Sequence, residues 1–340
     1  MKKTWLSIGG AVLASTLACG GDEVTVINLD SGGNDANVKD DGGGGPDGNV
    51  NPDGGNPDGS RDPDASNLAD TGPDVVTFNP GNVNGLVLWL DAAKNVITKN
   101  VNNQTRITLW GDETAHKNDA AGSSQQQTFG QNPTSLMSTI NSLPVVHFEA
   151  GNQGGGNILT ILDNSDLSLQ WGTGDFYVAV VARFNNNAQD GAGRGVGTFF
   201  SKWFANGNNV FTGVDMTGNI YGNNYGAMAG MYFATENSNT NYVATTTAYN
   251  DLKPHQFAFQ RIGAKLDMRV DGTSIQTSTS AGLSVDAKST QVRIGADLFG
   301  GQGMFGRLNG DIAEMLAVKG ALSSNDQSDL EGYLKTKYGL

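Results

Sequence analysis

The chain is 340 residues long, with 37% hydrophobic residues, 48 glycines, one cysteine and a formal net charge of −13. That length can bury a sizeable core, while a lone cysteine excludes any internal disulfide, so the fold must rest on its own packing. No basic face accompanies the acidic balance, which excludes nucleic acid as a partner.

Residues 1–18 have the form of an export signal. Lys2 and Lys3 supply a positive start, and Trp5 to Leu17 is a mostly apolar run with small residues before its end. The run is too short to span a bilayer as a stable helix, which takes roughly 20 apolar residues. Cys19 follows at once, and Ala18-Cys19 resembles the lipobox of bacterial lipoproteins, although Thr16 stands where that pattern has leucine. The resemblance implies that Cys19 is acylated and that the lipid bilayer is a partner, since two or three acyl chains anchor firmly where one does not. Gly20, in place of the aspartate that retains such proteins at the inner membrane, implies the outer membrane in an organism that has one. The other reading is a secreted protein with an incidental thiol.

Residues 19–76 read as a disordered tether. Between 20 and 76 thirteen acidic residues face only Lys39 and Arg61, so most of the net charge lies here and not in the folded part. Pro-Asp-Gly recurs at Pro46, Pro52 and Pro57. Such a stretch has too few apolar side chains to offset the entropy of ordering it, and its glycines and like charges keep it flexible and extended.

From 77 to 340 the composition changes to short runs rich in Val, Ile, Phe, Tyr and Thr between Gly and Asn clusters. Strands are expected over 83–91, 143–149, 157–162, 176–184, 197–204, 209–216, 227–233, 256–262, 292–296 and 308–318. Phe176 to Phe184 is nearly continuous in apolar residues, as in a strand buried on both faces. Val270-Asp271-Gly272-Thr273 signals a tight hairpin, because Asp-Gly readily takes positive φ. About a dozen strands are expected on this pattern. One helix closes the chain: Ser323 is placed to cap it, Leu330, Tyr333, Leu334 and Tyr338 recur at helical spacing, and Lys335 and Lys337 sit near its negative end. Its apolar stripe is expected to pack on a sheet edge or end.

These residues resemble a laminin G-like domain of the concanavalin A-like lectin and glucanase superfamily. GLVLWLDA followed by Trp110-Gly111-Asp112 and Asn118-Asp119-Ala120 is similar to the opening of such domains. Phe176 to Phe184, then Phe199-Phe200-Ser201-Lys202, is similar to their middle strands. VRIGAD with Phe305-Gly306-Arg307-Leu308-Asn309-Gly310-Asp311-Ile312-Ala313-Glu314-Met315 carries the likeness furthest. It implies an all-β, two-sheet antiparallel jelly-roll sandwich with a C-terminal helix, in a superfamily that includes sugar-binding modules, adhesion modules, hydrolases and lyases. Related domains hold a calcium ion near a sheet rim, and the resemblance points to Asp112, Asn118 and Asp119 for it, against the reading of these as turn formers.

Catalysis finds little support. Retaining glycosidases need two carboxylates roughly 5 Å apart, but no Glu here is followed by Asp two places later. Asp311 and Glu314 have odd spacing and are expected to point to opposite faces. His147 and Glu149 share a face, as a hydrogen-bonded pair or as a base with its orienter. His116 and His255 are expected in loops. Sugar recognition needs flat rings beside amides, and residues 203–242 offer Trp203, Tyr221, Asn223, Asn224, Tyr225, Tyr232 and Asn241. These serve a ligand or pack the sandwich; Tyr225, between Asn224 and Gly226, is expected to be exposed. The function expected is therefore a membrane-anchored, non-catalytic module that binds a glycan or a cell-surface protein. The alternatives are a structural component of the cell envelope and a polysaccharide-active enzyme.

Overall fold

A computed structural model describes residues 25–27, 78–101, 103–122, 132–150, 157–162, 167–185, 197–202, 204–205, 211–212, 214–220, 230–235, 242–244, 247, 249–279, 282, 284–286, 291–299 and 303–340. The elements, in chain order, begin with β1 (Thr25–Ile27), a 3-10 turn (Pro80–Asn82), β2 (Leu86–Asp91), β3 (Val96–Val101), β4 (Gln104–Trp110) and β5 (Ala120–Gly122). There follow β6 (Thr134–Ile140), β7 (Leu143–Phe148), β8 (Leu159–Ile161), β9 (Phe176–Phe184), β10 (Thr198–Ser201), β11 (Phe204–Ala205) and β12 (Phe211–Thr212). Next are β13 (Val214–Ile220), β14 (Gly230–Thr235), β15 (Tyr242–Ala244), β16 (Pro254–Ile262), β17 (Lys265–Val270) and β18 (Thr273–Thr279). The last are β19 (Val292–Ile294), β20 (Asp297–Phe299), β21 (Gly303–Phe305), β22 (Gly310–Lys319) and the helix α1 (Ser324–Tyr338).

Every strand pairing among these is antiparallel; β11–β12 and β20–β21 are separate two-stranded sheets, and the main pairings resolve into two ladders. One runs β18–β17–β16–β9–β22, with β2 and then β7 beside different stretches of β22, and β6 beyond β7. The other runs β15–β14–β13–β10–β19–β8–β5–β4–β3. A single pair, Arg106 with Thr134, joins them through β4 and β6. Phe199 of the second ladder lies against Phe184, Phe257 and Phe259 of the first, at ring separations of 6.0, 4.8 and 6.5 Å. The main core is thus the space between the sheets, filled from one side by Val178, Val180 and Met315 and from the other by Met216, Ile294 and Leu159.

β9 is buried on both faces, as its unbroken apolar run predicts. Val178, Val180 and Ala182 enter the main core, while Tyr177, Ala179 and Val181 enter a second core under α1. The helix begins where Ser323 accepts a hydrogen bond from the Asp326 amide at 3.1 Å, and ends at Gly339, whose φ of 68° lies in the left-handed region that favours glycine. Its stripe of Leu330, Leu334 and Tyr338 does not sit on a sheet edge or end, as expected, but lies flat on the outer face of the first sheet, over Leu316, Val318 and Trp89. The second apolar face of β9 demands this cover, because a strand with two apolar faces needs a layer on each side.

Other expectations are corrected. Among the described residues the strands are twenty-two and mostly short, against about a dozen expected. β3, β4 and β6 were not foreseen because Thr, Lys, Asn, Gln and Ser dilute their apolar positions. The β3–β4 turn is carried by Asn103 at φ 63°. His255 lies in β16, not in a loop. The Asp271-Gly272 hairpin forms as expected, at φ of 49° and 80°. Cys19 and the signal segment lie outside the described residues. In the 19–76 stretch only Thr25–Ile27 is described, as β1 paired with β3.

Candidate functional site

The first constellation arises from a register shift in β22. Asp311 pairs with Arg183 and Ile312 with Ala182, but the next pair is Glu314 with Val181, so Ala313 is an extra residue. Because Arg183 and Val181 are two apart on β9 and share a face, the bulge brings Asp311 and Glu314 onto one face, which corrects the expectation from their odd spacing. That face is the outer one, the side of Val181 and α1.

Asp311 lies at its rim. His147 Nδ1 stands 2.7 Å from Asp311 Oδ1, and Arg183 donates to Oδ2 from Nη2 at 2.5 Å and from Nε at 3.2 Å. Asn185 Nδ2 donates to Oδ1 at 3.3 Å. Burial pushes the Asp311 carboxyl up, but the hydrogen bonds and charges of His147 and Arg183 outweigh it and hold the carboxyl below its ordinary range. His147 therefore has Asp311 as its partner, not the expected Glu149, whose backbone amide is held by Asn157 Oδ1 at 2.6 Å. The quartet was missed in the sequence because 164 positions separate its histidine from its aspartate. The available signal was a charged residue inside each of two otherwise apolar strands.

Glu314 is sealed beneath the helix. Trp89 Nε1 donates to Oε1 at 2.6 Å, the Tyr333 hydroxyl to Oε1 at 3.1 Å, and Lys337 Nζ and the Tyr338 hydroxyl to Oε2 at 2.7 and 2.8 Å. Lys337 Nζ also reaches Asp91 Oδ2 at 2.7 Å. Burial, with the charge of Asp91 behind it, raises the Glu314 carboxyl above its ordinary range despite Lys337. Burial works against the Lys337 ammonium, yet the two carboxylates hold its pKa well above the ordinary value. With four donors on it and no exposed surface, Glu314 cannot reach a substrate, so Asp311 and Glu314 do not form a working acid and nucleophile pair.

The cluster assigned to calcium by resemblance is an internally bonded loop. Asp112 Oδ1 accepts from the amides of Trp89 at 2.9 Å and Thr114 at 3.0 Å, and Oδ2 from the Thr114 hydroxyl at 2.7 Å and the Asn118 amide at 2.8 Å. Asp119 Oδ1 accepts from the Asp112 amide at 2.8 Å, and Asn118 Nδ2 donates to the Val87 carbonyl at 2.7 Å and to Ser168 at 2.8 Å. The structure thus brings the three residues together. Four donors occupy the lone pairs of Asp112, however, and calcium asks for six to eight oxygen ligands, so this carboxylate does not fit the ion. Among the described residues no group of three or more His, Cys, Asp and Glu is arranged to hold a metal.

Of the residues expected to bind sugar, Trp203, Tyr221, Asn223, Asn224, Tyr225 and Asn241 lie outside the described residues. Tyr232 is placed by its backbone only, in β14 opposite Thr217 and Ala244. The second sheet carries a polar row not foreseen from sequence. Asp215 pairs with Ser201, Ser201 with Arg293, and Arg293 with Thr160. These positions alternate with core-facing Val214, Met216, Phe200, Val292, Ile294, Leu159 and Ile161, so all four share the outer face. The row holds an acid, a guanidinium and two hydroxyls, of which Ser201 is wholly buried and Asp215, Arg293 and Thr160 are partly buried.

No family model and no curated protein matches the chain. Among solved structures it is similar to the binding domain of botulinum neurotoxin serotype D/C, at a TM-score of 0.45 and 13% identity over 74% of this chain and 52% of that one. Binding domains of botulinum neurotoxin DC in complex with SialylT and with rat synaptotagmin II match at TM-scores of 0.43 and 0.44, each at 12% identity over 74% of this chain and 52% of theirs. The chain thus spans about half the length of these structures, and likeness at this level assigns no ligand.

Proposed function

We propose that this chain is a membrane-anchored, non-catalytic binding module that recognises a glycan or a cell-surface protein through the outer face and β13–β15 end of its second sheet. The observation that carries the reading is the partly buried Asp215, Arg293 and Thr160, which stand in one line on that face with the buried Ser201 between them. A carboxylate, a guanidinium and a hydroxyl on one sheet face suit a polyhydroxylated or peptide surface. Support for the non-catalytic half comes from the carboxylates themselves, since Glu314 is closed in by α1 and Asp311 is held by three side chains. The anchor rests on Cys19 and the short apolar run before it, and the laminin G-like assignment on the motif order along the chain.

A glycan array with the full chain tests the reading, alongside Tyr225→Ala and Arg293→Ala. Binding by the parent chain that both variants lose supports it, and no binding across a broad panel counts against a glycan. Recovery of one stoichiometric envelope protein, without glycan affinity, moves the assignment to a structural component. Metabolic labelling with palmitate, lost in Cys19→Ser, tests the anchor separately.

A further inference from the structure

Lys202, just after β10, is a lysine with no exposed surface. Its Nζ donates to the Leu169 carbonyl at 2.6 Å and touches Asp286 Oδ1. The enclosure is aromatic: Nζ lies 5.6 Å from the Trp171 ring, which stacks on Phe176 at 4.3 Å and on Phe200 at 5.4 Å. Asp286 Oδ2 accepts from the Gly172 amide at 2.5 Å, and the Val285 amide donates to the Gly172 carbonyl at 3.0 Å, which fixes the turn carrying Asp286 against Gly172.

We propose that Lys202 and Asp286 are joined by an intramolecular amide bond that the chain forms with itself on folding. An ammonium and a carboxylate brought into an apolar enclosure lose the solvation that keeps them charged. One proton passes from Nζ to Oδ1, leaving a neutral amine in contact with a carboxylic acid. The amine attacks Cγ, and the charge that develops on Oδ2 falls on the atom already held by the Gly172 amide, which acts as an oxyanion donor. A second proton passes from nitrogen to Oδ1, which departs as water, and the Cγ=Oδ2 double bond re-forms. One lysine ammonium and one aspartate carboxylate become one amide and one water, with no other reactant.

The surroundings match the product. An amide has one N–H and one carbonyl oxygen; here the Leu169 carbonyl stands ready for the first and the Gly172 amide for the second. The bond would close a loop between residues 84 positions apart, in a chain whose single cysteine allows no disulfide.

Mass spectrometry of the denatured full chain after trypsin decides the matter. The expected result is a branched peptide in which the segment containing Lys202 is joined to residues 270–288, one water lighter than the two together, with no cleavage after Lys202. Asp286→Asn should reach the same product by releasing ammonia, whereas Lys202→Arg should give linear peptides at the full sequence mass. A linear peptide ending at Lys202 from the folded parent chain overturns the proposal, whatever the variants do.

Discussion

Lys337→Met tests the network under the helix most directly. Lys337 Nζ bridges Asp91 and Glu314 at 2.7 Å each, and these two residues are cross-strand partners between β2 and β22. Removing the ammonium leaves two buried carboxylates facing one another. Breaking one side of a buried charge pair typically costs about 3–5 kcal/mol. Trp89, Tyr333 and Tyr338 still donate to Glu314, which places this loss near the lower end, at about 3 kcal/mol. Urea unfolding of the full chain at neutral pH measures it. The pH dependence follows in sign: Glu314 already sits above its ordinary range, and loss of Lys337 raises it further. A carboxyl raised on folding contributes stability that is present below its unfolded value and lost as pH rises through its folded value. The variant's deficit should therefore be smaller near pH 4.5, the ordinary glutamate value, than at neutrality. Adding Glu314→Gln should recover much of the loss. A deficit under about 1 kcal/mol at neutral pH, the size of an exposed ion pair, would refute the reasoning.

Two further outcomes are expected. His255 Nδ1 lies 2.8 Å from Asp271 and Nε2 3.1 Å from Asp251, and the hydrogen bond to Asp271 leads the causes that raise its pKa above 6.5 against the pull of burial. NMR titration should show that rise and its decrease in Asp271→Asn, and the stability His255 adds should be full below pH 6.5 and lost as pH climbs through the folded value; an unchanged titration in the variant would break the assignment. Asp112→Ala should lower stability by about 2–4 kcal/mol, because it leaves buried donors without acceptors, while a chelator should leave the melting temperature of the parent chain where it was. A chelator-induced drop would restore calcium to this loop.

What could be read in the sequence was whatever depends on near neighbours. Ser323 and Gly339 bound the helix as local capping chemistry dictates, Asp271-Gly272 makes its hairpin, and the unbroken apolar run of β9 announces burial on both faces. What could not be read depends on pairing across the chain. The extra residue at Ala313 reverses the parity of everything after it, so strand alternation put Asp311 and Glu314 on the wrong faces. The helix stripe shows that a surface is covered without showing which, and only the assembled sheet supplies the outer face of β9 as its target. The polar row on the second sheet draws one residue from each of four strands, so it has no local motif at all.

The place of β22 has a kinetic consequence. This final strand is flanked by β9 on one side and by β2 and β7 on the other, and the Trp89–Glu314 contact spans 225 positions. A chain delivered from its N-terminal end cannot close the first sheet until its last strand has arrived, and β2 and β9 keep open edges meanwhile. The first sheet must therefore wait for β22, and pairings this distant in sequence make its closure slow.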